Sequence, residues 1–259
     1  MDDPNLEIDM TLAVEILVTD DCPHAESTLD RVKGVLASLA PGVSPVLRTI
    51  RDQDEALALG FRGSPTVRVN GEDLEGPDAR RAAPEGHHPA FPPEGQQPAF
   101  PPKGRRYGSH EIPPTWLVEA AVLRALGPKH LLFLCVANSA RSQMAEGIAR
   151  SLAPAHIRIS SAGSEPTQIR PEAVQVLQEL GIDPADQHSK GMEAVGDGVD
   201  AVITLCAEEV CPAWLGRAWR VHWGLPDPAA VQGSDEERLE AFREVREEIA
   251  RRLERLLAP

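Results

Sequence analysis

The stretch Leu131-Leu132-Phe133-Leu134-Cys135-Val136-Ala137-Asn138-Ser139-Ala140-Arg141-Ser142 decides the fold of the second half of the chain. An apolar run ends in a thiol, an arginine follows across one short loop, and a helix is expected from Ser142. The backbone N–H groups of such a loop, with a helix N-terminus behind them, form a concave cradle for an anion. The Arg141 guanidinium offers paired donors to two of the anion's oxygens. The same positive field favours a nucleophilic thiolate at Cys135 beneath it. In the helix that follows, Met144, Ile148 and Leu152 stand at spacing four, one apolar stripe against a sheet. The competing reading is a buried structural cysteine at a strand end beside a surface arginine.

Outward from this segment, the text from His130 alternates strands and helices in the doubly wound manner. Ile157 to Gly163 reads as a strand ending in a glycine turn. Pro171 suits a helix start, with Gly181 as the stop. Asp200 to Leu205 is a third strand, delivering Cys206. Arg220-Val221-His222-Trp223 is a fourth, delivering Asp227-Pro228, with His222 and Trp223 expected in the core. Ser234-Asp235-Glu236-Glu237 is a capping box for a last helix carrying Phe242, Val245, Ile249, Leu253 and Leu256 on one face. The expected architecture is a doubly wound, four-stranded parallel sheet. Ligands bind at the carboxyl ends of such strands, so Cys135, Cys206 and Asp227 are expected to converge on one crevice.

The first half reads as a separate α/β domain over 11–126, after a tail over 1–10. Leu12 to Val18 is a buried strand, and Cys22-Pro23 precedes a helix carrying Leu29, Val32, Val35, Leu36 and Leu39. A second strand over 43–50, a short helix over 52–59 and the strand Pro65 to Val69 follow. That strand runs into an Asn70-Gly71 hairpin, and a helix over 115–126 closes the domain. Within it a nonapeptide repeats, Pro84 to Pro92 and Pro93 to Pro101, with a degenerate copy from Pro102. The prolines between Pro84 and Pro114 forbid helix and favour an extended segment. His87-His88 becomes Gln96-Gln97 in the next copy, which reads as drift in a duplicated loop and not as a metal site.

The 259 residues carry a net charge of -14, and residues 1–129 and 130–259 share the acidic and basic residues equally. No basic arm exists, so nucleic acid and anionic membranes are not expected partners. No apolar run approaches the roughly 20 residues of a membrane span. The start lacks the pattern of a signal peptide, so the expected compartment is the cytoplasm. The 4 cysteines, Cys22, Cys135, Cys206 and Cys211, fit neither a disulfide framework nor a structural zinc site. Reactive chemistry or plain packing remains.

Cys22 at a helix start and Gly63-Ser64-Pro65-Thr66 before a strand make residues 11–126 resemble the thioredoxin/glutaredoxin fold. The resemblance implies a cis-proline at Pro65 beside a reactive Cys22. The family's CxxC reads Cys22-Pro23-His24-Ala25 here, so this domain alone is no dithiol oxidoreductase. Monothiol exchange, or binding without redox function, both stay open.

Residues 130–259 resemble the low-molecular-weight phosphotyrosine phosphatase fold, and within it the thioredoxin-coupled arsenate reductases. The matching text is Cys135 to Glu146, Ser161-Ala162-Gly163, Cys206 to Cys211-Pro212, and His222 to Ala229. The resemblance implies arsenate as substrate, with phosphate and sulfate as analogues, arsenite as product, and no metal or organic cofactor. Val136, Ala137, Asn138, Ser139, Ala140, Arg141 and Ser142 would bind the anion, with Asn138 and Ser142 orienting the loop. Cys135 would attack arsenate and Asp227 would protonate the leaving oxygen. Cys206 and Cys211 would carry the oxidation outward as successive disulfides to thioredoxin or a small thiol. On one regular helix Cys206 and Cys211 would stand about 140° and roughly 8–9 Å apart, beyond the about 7 Å a disulfide allows. The segment between them is therefore expected to be a loop or to unwind, and to be the most mobile part of the domain. Two alternatives remain: a tyrosine phosphatase, although Ala229 stands where that branch places an aromatic, and a non-catalytic sensor of oxyanions or redox state.

Overall fold

The computed structural model describes residues 12–76, 104–207 and 212–257, and the chain divides into two units, Met1–Leu126 and Gly127–Pro259. Most of the nonapeptide repeat, His87-His88, and residues 208–211 with Cys211 lie outside the described residues.

In the first unit β1 (Val14–Val18) lies at the centre of a small mixed sheet. It pairs parallel with β2 (Val46–Thr49) and antiparallel with β3 (Thr66–Val69), which turns back into β4 (Glu72–Asp73), giving the order β2-β1-β3-β4. The turn is the expected Asn70-Gly71, both at positive φ (50° and 81°), the geometry whose twist matches paired strands. Helix α1 (Ala25–Leu39) buries Thr28, Val32, Val35, Leu36 and Leu39, and packs with α3 (Thr115–Leu126). The short α2 (Gln53–Ala58) is capped by Asp52, whose side chain accepts from Glu55 N at 2.8 Å.

One feature of this unit has no sequence signature. Arg105 is buried, forks onto both carboxylate oxygens of Asp73 (2.5 and 2.6 Å), reaches Glu75 at 2.7 Å, and lies 4.4 Å from the Tyr107 ring centroid. Tyr107 Oη donates to Pro65 O and accepts from Val67 N, both at 3.2 Å. The pair fastens the 104–107 segment onto β3 and β4.

The second unit is the four-stranded parallel sheet. β5 (His130–Cys135) is central, flanked by β6 (Arg158–Gly163) and β7 (Ala201–Cys206), with β8 (Trp219–Leu225) at the edge, in the order β6-β5-β7-β8. Paired on both sides, β5 is buried along its whole length, which is why it reads as an unbroken apolar run. Helix α4 (Arg141–Leu152) packs against β6, α5 (Pro171–Glu179) and α6 (Asp235–Leu257). The expected capping box forms: Ser234 Oγ accepts from Glu237 N, and Glu237 Oε2 accepts from Ser234 N at 2.8 Å.

Two expectations need correction. Leu152 is 40% exposed, whereas every residue from Arg141 to Ala149 is buried. A spacing of four overshoots the helical repeat by about 40° per step, so the stripe begun at Met144 has turned out of the core by Leu152. His222 is exposed, while Val221, Trp223 and Leu225 are buried. The edge strand alternates with period two, so Trp223 joins the core and its neighbour faces outward.

Candidate active site

β5 delivers Cys135, 3% exposed, to a loop that ends where α4 opens at Arg141. The loop is held from outside by its carbonyls. Val136 O accepts from Glu165 N and Ala137 O from Thr167 N, each at 2.9 Å. Asn138 O accepts from Gln143 Nε2 at 3.1 Å, and Ser139 O from Arg170 N at 2.9 Å. A trans peptide sets each N–H opposite its C=O. The amides of Ala137, Asn138, Ser139 and Ala140 are thereby turned away from this support, to the concave side of the loop. Gly163 makes room for the bend, because a methyl there would stand 2.3 Å from Val136 O.

Asn138 is the hub. Its backbone sits at φ 44°, a left-handed conformation that Asn tolerates better than most residues. Its Oδ1 accepts from Lys190 N (2.8 Å) and Gln143 Nε2 (3.1 Å), and its Nδ2 donates to Ser142 Oγ and Ser161 Oγ, both at 2.8 Å. Ser142 Oγ, which accepts from Asn138 Nδ2, also lies 2.9 Å from Cys135 Sγ. A hydroxyl at that place can donate to the sulfur once it is a thiolate. Behind Asn138, Ser161 Oγ donates to Glu146, a fully buried carboxylate that also meets Arg150 and, at 3.4 Å, Lys190 Nζ.

Arg141 is buried, donates to Leu225 O at 3.0 Å, and approaches Asp227 Oδ1 at 3.5 Å. Asp227, about one third exposed, caps a short 3-10 turn over Pro228–Ala230. Arginine and acid therefore face one another across the mouth of the loop. Cys206 ends β7 and is fully buried. The β5–β7 register runs in step as far as Leu134 opposite Thr204. One residue further, Cys206 stands diagonally across from Cys135 at a Cα separation of about 5.8 Å from strand spacing and rise, inside the range for a disulfide. Alternation along β7 places Cys206 on the face of Thr204, so bonding to Cys135 requires the strand end to turn over. Cys211 lies outside the described residues, and so does the segment expected to unwind.

In the first unit Cys22 is half-buried in the turn before α1. Its N–H donates to Thr19 O at 3.2 Å, and Thr19 N donates to Ser64 Oγ at 3.0 Å. Thr19 thus ties the cysteine turn to Ser64-Pro65, whose peptide bond is cis.

The geometry assembles Cys135, Arg141, Asn138, Ser142 and Asp227. It adds Gln143, Glu146, Ser161, Lys190 and the Leu225 carbonyl, to which sequence reasoning gave no role. Glu146 did carry a signal: a carboxylate between Ala145 and Gly147, within a helix turn otherwise suited to burial.

A family model described as low molecular weight phosphotyrosine protein phosphatase matches residues 130–259. The chain is 42% identical over 131 residues to an arsenate reductase of Halalkalibacterium halodurans, covering 49% of this chain and 94% of that protein. It is 41% identical over 128 residues to an arsenate reductase of Bacillus subtilis, covering 48% and 92%. To a glutaredoxin arsenate reductase of Synechocystis sp. it is 38% identical over 133 residues, covering 50% and 97%.

Proposed function

The chain belongs, through residues 130–259, to the low molecular weight phosphotyrosine protein phosphatase family, and from that premise we propose that it is an enzyme reducing arsenate to arsenite by a relay of thiols. The observation that carries this reading is a second buried cysteine, Cys206, at the end of the strand paired with the one that bears Cys135. A phosphatase needs one nucleophile, one arginine and one acid; a second thiol at the next strand end serves electron transfer.

The amides of Ala137 to Ala140 and the Arg141 guanidinium hold the arsenate oxygens. Cys135 thiolate attacks arsenic, and Asp227 protonates the oxygen that leaves as water. Cys206 then attacks the Cys135 sulfur. A disulfide forms, the sulfur–arsenic bond breaks with its electron pair kept on arsenic, and arsenite departs. Two thiols are oxidised and arsenic gains two electrons. Cys211 attacks Cys206, freeing Cys135 and presenting the Cys206–Cys211 disulfide to thioredoxin or a small thiol.

For the first unit, the sheet order β2-β1-β3-β4, a cysteine at a helix start and a cis proline tied to it support a thioredoxin-like reading. Cys22, without a second thiol in its motif, fits monothiol exchange with the donor. Among the described residues no helix is long and apolar enough to cross a membrane.

The test is arsenite release from arsenate with thioredoxin, thioredoxin reductase and NADPH, comparing wild type with Cys206→Ser. Multiple turnovers that require Cys206 are expected. Wild type that hydrolyses an aryl phosphate through Cys135 but releases no arsenite would make the protein a phosphatase.

A further inference from the structure

Glu146 is fully buried on α4, and the relay described so far makes no use of its charge. A carboxylate only accepts hydrogen bonds, so Ser161, whose Oγ meets Glu146 Oε2, gives its one proton there. Ser161 Oγ is then the acceptor for Asn138 Nδ2 at 2.8 Å. With Nδ2 on that side, Asn138 Oδ1 faces two donors, the Lys190 N–H at 2.8 Å and Gln143 Nε2 at 3.1 Å. The other branch of the chain ends at Ser142 Oγ, 2.8 Å from the same Nδ2 and 2.9 Å from Cys135 Sγ. A neutral carboxyl at Glu146 could itself donate to Ser161, and the chain would lose its direction.

Among the described residues two cations approach that carboxylate. Arg150 stands one turn along α4 with its side chain 44% exposed, where water and salt screen it. Lys190 comes from the segment between α5 and β7, and its side chain is 16% exposed. Its Nζ lies 3.4 Å from Glu146 Oε2, the oxygen that takes the Ser161 proton, and 3.4 Å from His188 O. The segment is fastened around the loop at further points. Ser189 Oγ donates to Ala137 O at 3.2 Å, Gly163 N to Lys190 O at 3.0 Å, and Gln143 Nε2 to His188 O at 3.1 Å. Lys190 thus reaches both ends of one chain, with its N–H at Asn138 and its ammonium at Glu146. Without that ammonium the buried carboxylate would be poorly compensated. Its charge would also oppose a second anion in the neighbouring loop.

Resting on the reading of the Cys135 loop as an oxyanion site, we propose that Lys190 is a positioning residue for anion binding and acts through Glu146. The lysine does not touch the anion. It offsets the charge that gives the Asn138 amide its direction. The left-handed backbone at Asn138 and the Ser142 hydroxyl are then in place before the anion arrives.

The experiment measures the concentration of inorganic phosphate that half-protects Cys135 of the reduced full-length chain from alkylation, read at the Cys135 peptide. Lys190→Met keeps the stem and the backbone N–H, and is expected to raise that concentration roughly tenfold. Lys190→Arg restores a cation and is expected to stay within about threefold of wild type. In Glu146→Gln the amide keeps a carbonyl for Ser161 and carries no charge. Lys190→Met combined with Glu146→Gln is therefore expected to bind phosphate more tightly than Lys190→Met alone. A side chain that only fills space gives the opposite pattern, with Lys190→Arg as weak as Lys190→Met or losses that add in the double variant. Either result, or wild-type protection in Lys190→Met, would overturn the inference. If Lys190→Met does not fold, the double variant is expected to fold, and a double variant as unfolded counts equally against it. Wild type that phosphate does not protect removes the oxyanion reading itself, and the inference with it.

Discussion

Cys135 and Cys22 each stand between a strand and a helix, β5 and α4 in one unit, β1 and α1 in the other. What surrounds them differs. The Cys135 loop has its carbonyls held from outside, an Asn hub reaching four partners, and a hydroxyl 2.9 Å from the sulfur. Cys22 is more exposed and has only local backbone support, although both helices begin without a side-chain cap. The contrast teaches that the strand–turn–helix unit supplies only the place for a thiol. Attack on an oxyanion needs donors fixed before the substrate arrives. Exchange with another thiol needs access above all.

The largest expected effect breaks the comparison outright. Cys135→Ser is expected to abolish arsenite release, including the first turnover. Cys22→Ser is expected to keep the first arsenite at wild-type rate and to slow only the steady rate with a small-thiol donor. Rapid-quench measurement of the first and later turnovers separates the two. A lost first turnover in Cys22→Ser would mean that both cysteines serve one chemical step.

The next effect is on stability and concerns the first unit. Arg105→Met leaves the largely buried Asp73 with Arg62 at 3.9 Å as its remaining cation among the described residues, beside the Glu75 N–H that donates to its Oδ1. Removing one partner of a buried pair costs about 3 kcal/mol or more. Hydrogen exchange is expected to show β1 and β3 losing protection while β5 and β7 keep theirs. Equal loss in both units would tie their stabilities together.

A smaller effect probes the hub. Asn138→Gly keeps the left-handed backbone at φ 44° and removes the side chain, whereas Asn138→Ala also strains the backbone. Stranding buried partners costs about 1–3 kcal/mol, so Asn138→Gly is expected to lower kcat by roughly tenfold to a hundredfold. Asn138→Ala is expected to be worse again. Equal rates in the two variants would show that the hydrogen bonds alone matter and the backbone conformation does not.

The legible parts of this chain are those where one local rule decides. The buried β5 run, the Cys135-to-Arg141 loop, Pro171 at its helix start, the Asn70-Gly71 turn and the Ser234–Glu237 capping box all form. What stayed hidden was set by pairing across long sequence distances. His222 differs from Trp223 only in strand phase, which appears once β8 is known to be an edge. Arg105 meets Asp73 across 32 residues, and Lys190 meets Asn138 across 52. No spacing rule reaches that far.

The smallest expected effect sets the two sheets apart by acidity. His130, at the start of β5, is held below its ordinary pKa by burial first and by the Arg158 charge second; a Gly198 backbone hydrogen bond and Asp200 oppose them only in part. Its ring nitrogen contacts Ser160 Oγ at 2.9 Å. The unfolded chain therefore binds this proton at a higher pH than the folded one, and stability must rise with pH wherever the two states differ. Above about 6.5, the ordinary histidine value, both states are neutral there and the group adds no pH dependence. As the pH falls from that value toward the lowered folded pKa, the unfolded state gains a proton that the fold refuses, and the second unit loses stability. Thermal melts followed by protection of β5 and β7 between pH 7.5 and 5.5 are expected to show this loss, and His130→Gln is expected to flatten it. Measuring the difference between wild type and variant cancels every other titrating group. An unchanged slope in His130→Gln would mean that acid acts on the second unit elsewhere than at the strand carrying Cys135.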